Sequence, residues 1–266
     1  MMALQVRDLK RHFGGVRALD GVSFELAAGQ CVALIGPNGA GKSTCFACLA
    51  GQQQPQSGQV LWAGQSLLGL SPAQRLQRGV ARTFQVAQTF EALTVLQNLQ
   101  LVLSAGQLSW WDRLDARDRH AAEALLEPMD LLAHRHAVVA DLPYGAKKRL
   151  ELAMALAGWP DGHLDSPSVP RLLLLDEPAA GLAPAERQAM MALVRRVADS
   201  GVTVLYTEHN MDAVFGVADR VLVLMQGSLV ADGTPEQVSQ DPQVRQNYLG
   251  SDFELPGFES VGGPHA

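Results

Sequence analysis

The spacing of apolar residues changes twice along this chain, and each change marks a different kind of element. From Leu4 to Leu26 apolar and polar positions alternate around Phe13-Gly14-Gly15, which predicts antiparallel strands joined by a turn. Cys31 to Ile35 is apolar throughout and predicts a buried strand, and Ser43 to Ala50 predicts a helix closed by Gly51. Pro55 and Gly58 mark a loop, Gln59 to Ala63 a short strand and Gly64 the next turn. Ser71-Pro72 reads as a helix start, with serine as the cap and proline in the first turn. Val80 to Gln85 predicts a strand that ends in glutamine.

From Leu93 to about Glu151 the period becomes helical. Leu96, Leu99 and Leu103 fall on one face, as do Ala121, Leu125 and, after a break, Leu132, while Pro128 ends or kinks its helix. Trp110-Trp111 reads as packing between helices, and His134 and His136 as surface residues with no acids or thiols at metal-binding spacing. Gly158 to Pro170 is rich in Pro, Gly, Asp and Ser and predicts an exposed loop. Strand and helix then alternate: Arg171 to Leu175, Ala185 to Ser200, Val202 to Thr207, Met211 to Ala218 and Val221 to Met225. The pattern predicts an α/β fold, a mainly parallel sheet covered by helices, with an antiparallel N-terminal part and an inserted helical section. The expected organisation is one domain over residues 1–250, its core formed by 1–88 and 158–250 and its helical subdomain by 89–157. The Gly- and Pro-containing tail 251–266 is expected to fray.

Composition narrows the picture. A chain of 266 residues that is 47% hydrophobic can bury one good core, with room for a second lobe. Charged residues at 18% and a net charge of −6 argue against disorder and against sequence-independent nucleic-acid binding, which leans on a basic surface. No apolar run nears the roughly 20 residues that cross a bilayer, and Met1 to Lys10 lacks the layout of a secretion signal. A soluble, cytosolic chain is expected, anchored by another protein if it works at a membrane. Cys31, Cys45 and Cys48 fit a reducing compartment; Cys45 and Cys48 read as small buried thiols, with redox control beside the loop described next as the other reading.

Residues 36–44 read Gly-Pro-Asn-Gly-Ala-Gly-Lys-Ser-Thr and match the phosphate-binding pattern G-x-x-x-x-G-K-[ST], between a predicted strand and a predicted helix. Gly36, Gly39 and Gly41 let the backbone of Pro37, Asn38 and Ala40 curl so that N–H groups face phosphate oxygens, beside Ser43 and Thr44 at the helix N-terminus. Lys42 is the natural partner of the β- and γ-phosphates, and the Ser43 hydroxyl a ligand for Mg²⁺. Downstream, Leu172 to Leu175 delivers Asp176 and Glu177 at a strand's carboxyl end, where ligands gather in open α/β sheets. Asp176 suits Mg²⁺ held through water, and Glu177 suits polarising a water against the γ-phosphate. Gln85 and His209 end neighbouring strands; the glutamine can touch metal and water, the histidine the γ-phosphate. Phe13 either stacks on adenine or packs as a core phenylalanine.

With these motifs in hand, the chain from about Leu4 to Gly250 resembles an ATPase subunit of the ATP-binding cassette family, with its P-loop NTPase core. The resemblance implies that Phe13 stacks on adenine, that Gln85 is the family's glutamine loop, and that Glu177 and His209 carry hydrolysis. The family signature falls on Leu142-Pro143-Tyr144-Gly145-Ala146, so that Tyr144 and Gly145 would cover the nucleotide of a second subunit. Pro143 replaces the usual serine, Ala146 a glutamine, and Ala183 an aspartate or asparagine of the dimer loop. Arg82-Thr83-Phe84-Gln85, Thr207-Glu208-His209-Asn210-Met211 and Tyr248-Leu249-Gly250 further resemble importers of branched-chain amino acids and their relatives for urea and short amides. That implies ATP and Mg²⁺ as cofactors, and as partners a second cassette ATPase, membrane permeases and, indirectly, a periplasmic binding protein. The implied place is the inner face of the cell membrane, as a peripheral subunit. A soluble cassette ATPase for DNA repair or translation, and a regulatory nucleotide-binding module, are the other readings.

Overall fold

The computed structural model describes residues 2–83, 88–105, 118–159, 170–250 and 253. Strands β1 (Met2–Phe13) and β2 (Val16–Ala27) form the expected hairpin, with Leu4 opposite Leu26 and Phe13 opposite Val16 at the turn. Strand β3 (Cys31–Ile35) belongs to a different sheet. After helix α1 (Lys42–Ala50), β4 (Ser57–Trp62) returns to pair antiparallel with β1, and the short β5 (Gln65–Ser66) completes a sheet ordered β2-β1-β4-β5.

The second sheet adds β6 (Val80–Arg82), β7 (Leu172–Asp176), β8 (Thr203–Thr207), β9 (Arg220–Met225) and β10 (Ser228–Gly233). Its order is β10-β9-β3-β8-β7-β6, parallel from β9 to β6, with β10 as an antiparallel edge. Strand β3 is apolar at every position because both of its faces are covered. Cys31, Ala33 and Ile35 enter one core, with the helices, while Val32 and Leu34 enter the other, between the two sheets. Helix α1 lies in that second core, and Cys45, Phe46, Cys48 and Leu49 are buried there. All three cysteines are buried as expected, and burial pushes the Cys31 thiol up to about 12, which makes it inert at neutral pH.

Helix α2 (Pro72–Gln77) opens on a capping box: the Ser71 hydroxyl accepts from the Gln74 N–H and the Gln74 side chain from the Ser71 N–H. Its Arg75 is 2% exposed and lies across the far end of α1. There Nη1 donates to the carbonyls of Cys48 (2.7 Å) and Leu49, and Nε to Leu70 (3.3 Å). The Cys48 and Leu49 carbonyls belong to the last turn of α1, where acceptors run short of intrahelical donors, and the guanidinium also opposes the negative end of the α1 dipole. Arg75→Leu should therefore destabilise the protein by about 3 kcal/mol, the scale of losing hydrogen bonds to a charged group. Urea unfolding of the purified chain checks it; an unchanged midpoint would remove Arg75 from the support of α1.

Helices α3 (Val95–Leu103), α4 (Arg119–Leu126) and α5 (Tyr144–Ala157) form the helical section. Helix α4 stops ahead of Pro128 as expected, but its buried face is Ala122, Leu125 and Leu126. Ala121 lies at the margin, and Leu131 rather than Leu132 is fully buried, because the turn after Leu126 resets the register. Trp110-Trp111 lies outside the described residues. In the segment read as an exposed loop, Trp159 is instead buried, with the Arg171 guanidinium 5.1 Å over its ring. Helices α6 (Pro184–Asp199) and α7 (Met211–Phe215) follow the prediction, α7 being shorter. Strand β10 and helix α8 (Pro235–Gln240) were not anticipated; β10 is a half-exposed edge strand with only Leu229, Val230 and Ala231 apolar. No helix among the described residues is long and apolar enough to cross a membrane.

Candidate nucleotide site

The loop between β3 and α1 is shaped by its neighbours as much as by its glycines. Gly36, Gly39 and Gly41 all have positive φ, at 147°, 80° and 107°. A Cβ on Gly36 would lie 2.0 Å from the Leu224 carbonyl oxygen, and one on Gly41 2.1 Å from that of Ala18. The loop is thus pressed between β9 and the second strand of the hairpin. The Gly227 N–H donates to the Ala40 carbonyl at 3.0 Å and fixes it further. Asn38, Gly39 and Ser43 face solvent, Pro37 and Thr44 are half-buried, and Ala40 is buried. No side chain caps the N-terminus of α1, so the first-turn amides at Lys42, Ser43 and Thr44 are offered to an anion.

Lys42 is 7% exposed and its ammonium donates to the carbonyls of Gly36 (2.6 Å) and Pro37 (3.1 Å). Burial lowers its pKa, opposed by the nearby charges of Glu177 and Asp176. Burial raises the pKa of the Tyr248 hydroxyl, opposed by the Gly36 main chain, so the C-terminal segment lies beside the same loop.

Strand β7 is buried along its length and places Asp176 at its carboxyl end. The Asp176 carboxylate accepts from Arg82 Nη2 at 2.9 Å on one oxygen and from the Thr207 hydroxyl at 2.9 Å on the other. Arg82 also donates to the Gln52 side chain, just past α1. Glu177 follows with φ of 50°, a left-handed conformation uncommon outside glycine and held by its surroundings. Its N–H donates to the Thr207 hydroxyl at 3.0 Å, and its Oε1 lies 2.8 Å from His209 Nε2.

The structure thus gathers Lys42, Asp176, Glu177 and His209 at the carboxyl end of one sheet. Gln85 lies outside the described residues; strand β6, expected to reach it, stops at Arg82. Phe13 is 42% exposed at the hairpin turn, which rules out the core reading, and the Arg11 guanidinium sits 4.7 Å over its ring. Tyr144 and Gly145 stand elsewhere, at the start of α5. The Tyr144 ring lies against Gly181, where a Cβ would be 3.3 Å from Cε1, and a Cβ on Gly145 would be 2.7 Å from Glu186 Oε1. Pro143 is the N-cap residue of α5 and supplies no side-chain hydrogen bond.

Sequence reasoning gave no role to Arg82, Thr207 or Glu208. The pairs Arg82–Asp176, Thr207–Asp176 and Glu208–Ala179 span 29 to 94 positions, and position along the chain carries no sign of that pairing.

A glycine-rich loop at a strand-to-helix junction, with a buried lysine and a strand-end acidic pair, defines a P-loop nucleotide hydrolase. Residues 19–180 match the family described as ABC transporter, and residues 228–254 the family described as branched-chain amino acid ATP-binding cassette transporter. The chain belongs to the ABC transporter family, as an ATP-hydrolysing subunit. It is 38% identical over 258 residues to the high-affinity branched-chain amino acid transport ATP-binding protein LivG of Escherichia coli K12, covering 93% of this chain and 97% of that one. It is 33% identical to the lipopolysaccharide export system ATP-binding protein LptB of the same strain, covering 96% of this chain and all of that one. Among solved structures, the ADP conformation of MJ1267, an ATP-binding cassette of an ABC transporter, matches with a TM-score of 0.79 at 28% identity, over 94% of this chain and 99% of that one.

Proposed function

We propose that this chain powers an importer of branched-chain amino acids. The observation that carries the reading is the match of residues 228–254 to the branched-chain amino acid cassette family. The higher identity to LivG than to LptB points the same way. Uptake of leucine, isoleucine or valine into vesicles carrying the assembled transporter, dependent on ATP, is the test. ATP-driven export without such uptake would overturn it and point instead to export, the process named for the LptB relative.

In this reading Phe13 stacks on adenine, while Gly36, Pro37, Asn38, Gly39, Ala40, Gly41, Ser43 and Thr44 form the cradle in which main-chain amides and Lys42 hold the phosphates. Glu177 takes the proton of the attacking water, with His209 and Gln85 orienting it against the γ-phosphate. Magnesium fits as an ion carried by the nucleotide. Among the described residues no cluster of three His, Cys, Asp or Glu would chelate it alone. Ser43 offers a hydroxyl, and Asp176, both of whose oxygens already accept a bond, has lone pairs left for a metal-bound water. There the ion would neutralise phosphate charge.

Tyr144 and Gly145 contact the loop at Gly181 and helix α6 rather than Lys42, which supports their serving the nucleotide of a second cassette ATPase. The amides at the start of α5 would meet that γ-phosphate. Permease subunits would dock where the helical subdomain 89–157 meets α2 and β6, at a groove of about 350 Å³ lined by Ala73, Leu76, Arg82, Val102, Met154 and Ala155. The chain would then sit as a peripheral subunit on the inner face of the membrane, supplied with cargo by a periplasmic binding protein.

The signature departs from the family at Pro143. Pro143→Ser would cap α5, worth about 1 kcal/mol, and would add a hydroxyl toward the partner's nucleotide. Turnover at the partner's site should rise by about 10-fold or more, the value of one hydrogen bond to a charged group. Phosphate release from a transporter with only that site active measures it, and an unchanged rate would count against the cross-subunit role.

A further inference from the structure

We propose that Glu208 is a positioning residue that ties the loop facing the second subunit to the hydrolytic switch, so that the two shift together. The inference rests on the reading of Glu177 and His209 as the hydrolytic pair. Three consecutive residues, the last of β8 and the two after it, reach across to the end of β7 and the turn beyond it, each to a different point. Thr207 bonds the Asp176 carboxylate and the Glu177 N–H, and His209 meets the Glu177 carboxylate. Between them, Glu208 Oε1 accepts from the Ala179 N–H at 2.8 Å and Oε2 from the His209 N–H at 3.2 Å.

Glu208 is 4% exposed, so its carboxylate has exchanged water for two main-chain amides. Burial raises its pKa, and the bonds from Ala179 and His209 pull it back. Those amides belong to different loops. Ala179 opens the turn that runs through Gly181, against the Tyr144 ring, to Ala183, whose N–H donates to Glu186 at 3.3 Å. His209 sits 2.8 Å from the proposed base. A displacement at Gly181, where the second subunit is expected, therefore reaches the His209 main chain through a single carboxylate.

The test uses the assembled transporter. Glu208→Gln keeps the shape but sets an NH₂ donor against one of the two N–H groups. The kcat for ATP should fall about 10- to 100-fold, while KM and the affinity for a fluorescent ATP analogue stay within about twofold. Amide exchange should quicken together in 177–183 and 207–211. A lower melting temperature with unchanged kcat would mean that Glu208 only supports the fold, and would overturn the proposal. Gly181→Ala disturbs the same turn at φ of 77° without touching Glu208. If it quickens exchange in 177–183 and leaves 207–211 unaltered, the tie does not exist, and this holds even if Glu208→Gln does not fold. In the double variant the kcat loss should match the larger single loss; losses that multiply would overturn the coupling. A transporter whose rate survives Glu177→Gln overturns the reading of the hydrolytic pair instead.

Discussion

Glu177→Gln in the assembled transporter is expected to cut hydrolysis at this subunit's site by roughly 10²–10⁴, the usual contribution of a general base. The substitution is nearly isosteric. Glutamine can occupy the same backbone conformation at φ of 50°, with its N–H still held by the Thr207 hydroxyl, and can still accept from His209. What disappears is the ability to take a proton. ATP affinity should persist, because the phosphate-holding groups lie on the loop at 36–44. Single-turnover phosphate release with equilibrium nucleotide binding on the same sample separates the two. Retention of the normal rate would show that another group removes the proton.

Lys42→Met should do the reverse, abolishing tight binding ahead of any chemistry. The ammonium is fixed by the Gly36 and Pro37 carbonyls at 2.6 and 3.1 Å, at the inner wall of the loop. Methionine fills similar space with no charge. Loss of charge-assisted bonds to two phosphates, each worth about 1.5–3 kcal/mol, predicts a fall in ATP affinity of about 10²–10⁴. The fold should hold, since burial already works against the charged lysine and lowers its pKa. Isothermal titration with ATP and magnesium, alongside thermal melting, gives both numbers. Undiminished affinity would remove Lys42 from the site.

The parts of this molecule legible in the sequence are those with local causes. Strand β3 spans the predicted residues because five consecutive apolar positions between turns have few other fates. The phosphate loop was legible because its glycines, lysine and hydroxyls stand together. Ser71 and Pro72 begin α2 as read, since caps act within one turn. What was missed depends on distant neighbours. The choice of Ala122 over Ala121 is set by where α4 starts, after residues that carry no clear period. Trp159, at the start of a polar segment, joins the helical core, with Arg171 over its ring. Arg75 and Glu208 are buried charged residues and Arg82 a half-buried one, where hydropathy alone places them outside.

The carbonyls of Ala18 and Leu224 form the walls against which Gly41 and Gly36 are packed, closer than any methyl group would permit. Neither residue is expected to meet nucleotide, yet each inherits the loop's intolerance. One extra residue inserted between the hairpin turn and Ala18 would slide a neighbouring peptide group out of register with the cradle. Mutational tolerance in this protein should therefore follow the outline of the phosphate loop's mould, which extends into two separate sheets, rather than the shorter roll of side chains that touch ATP.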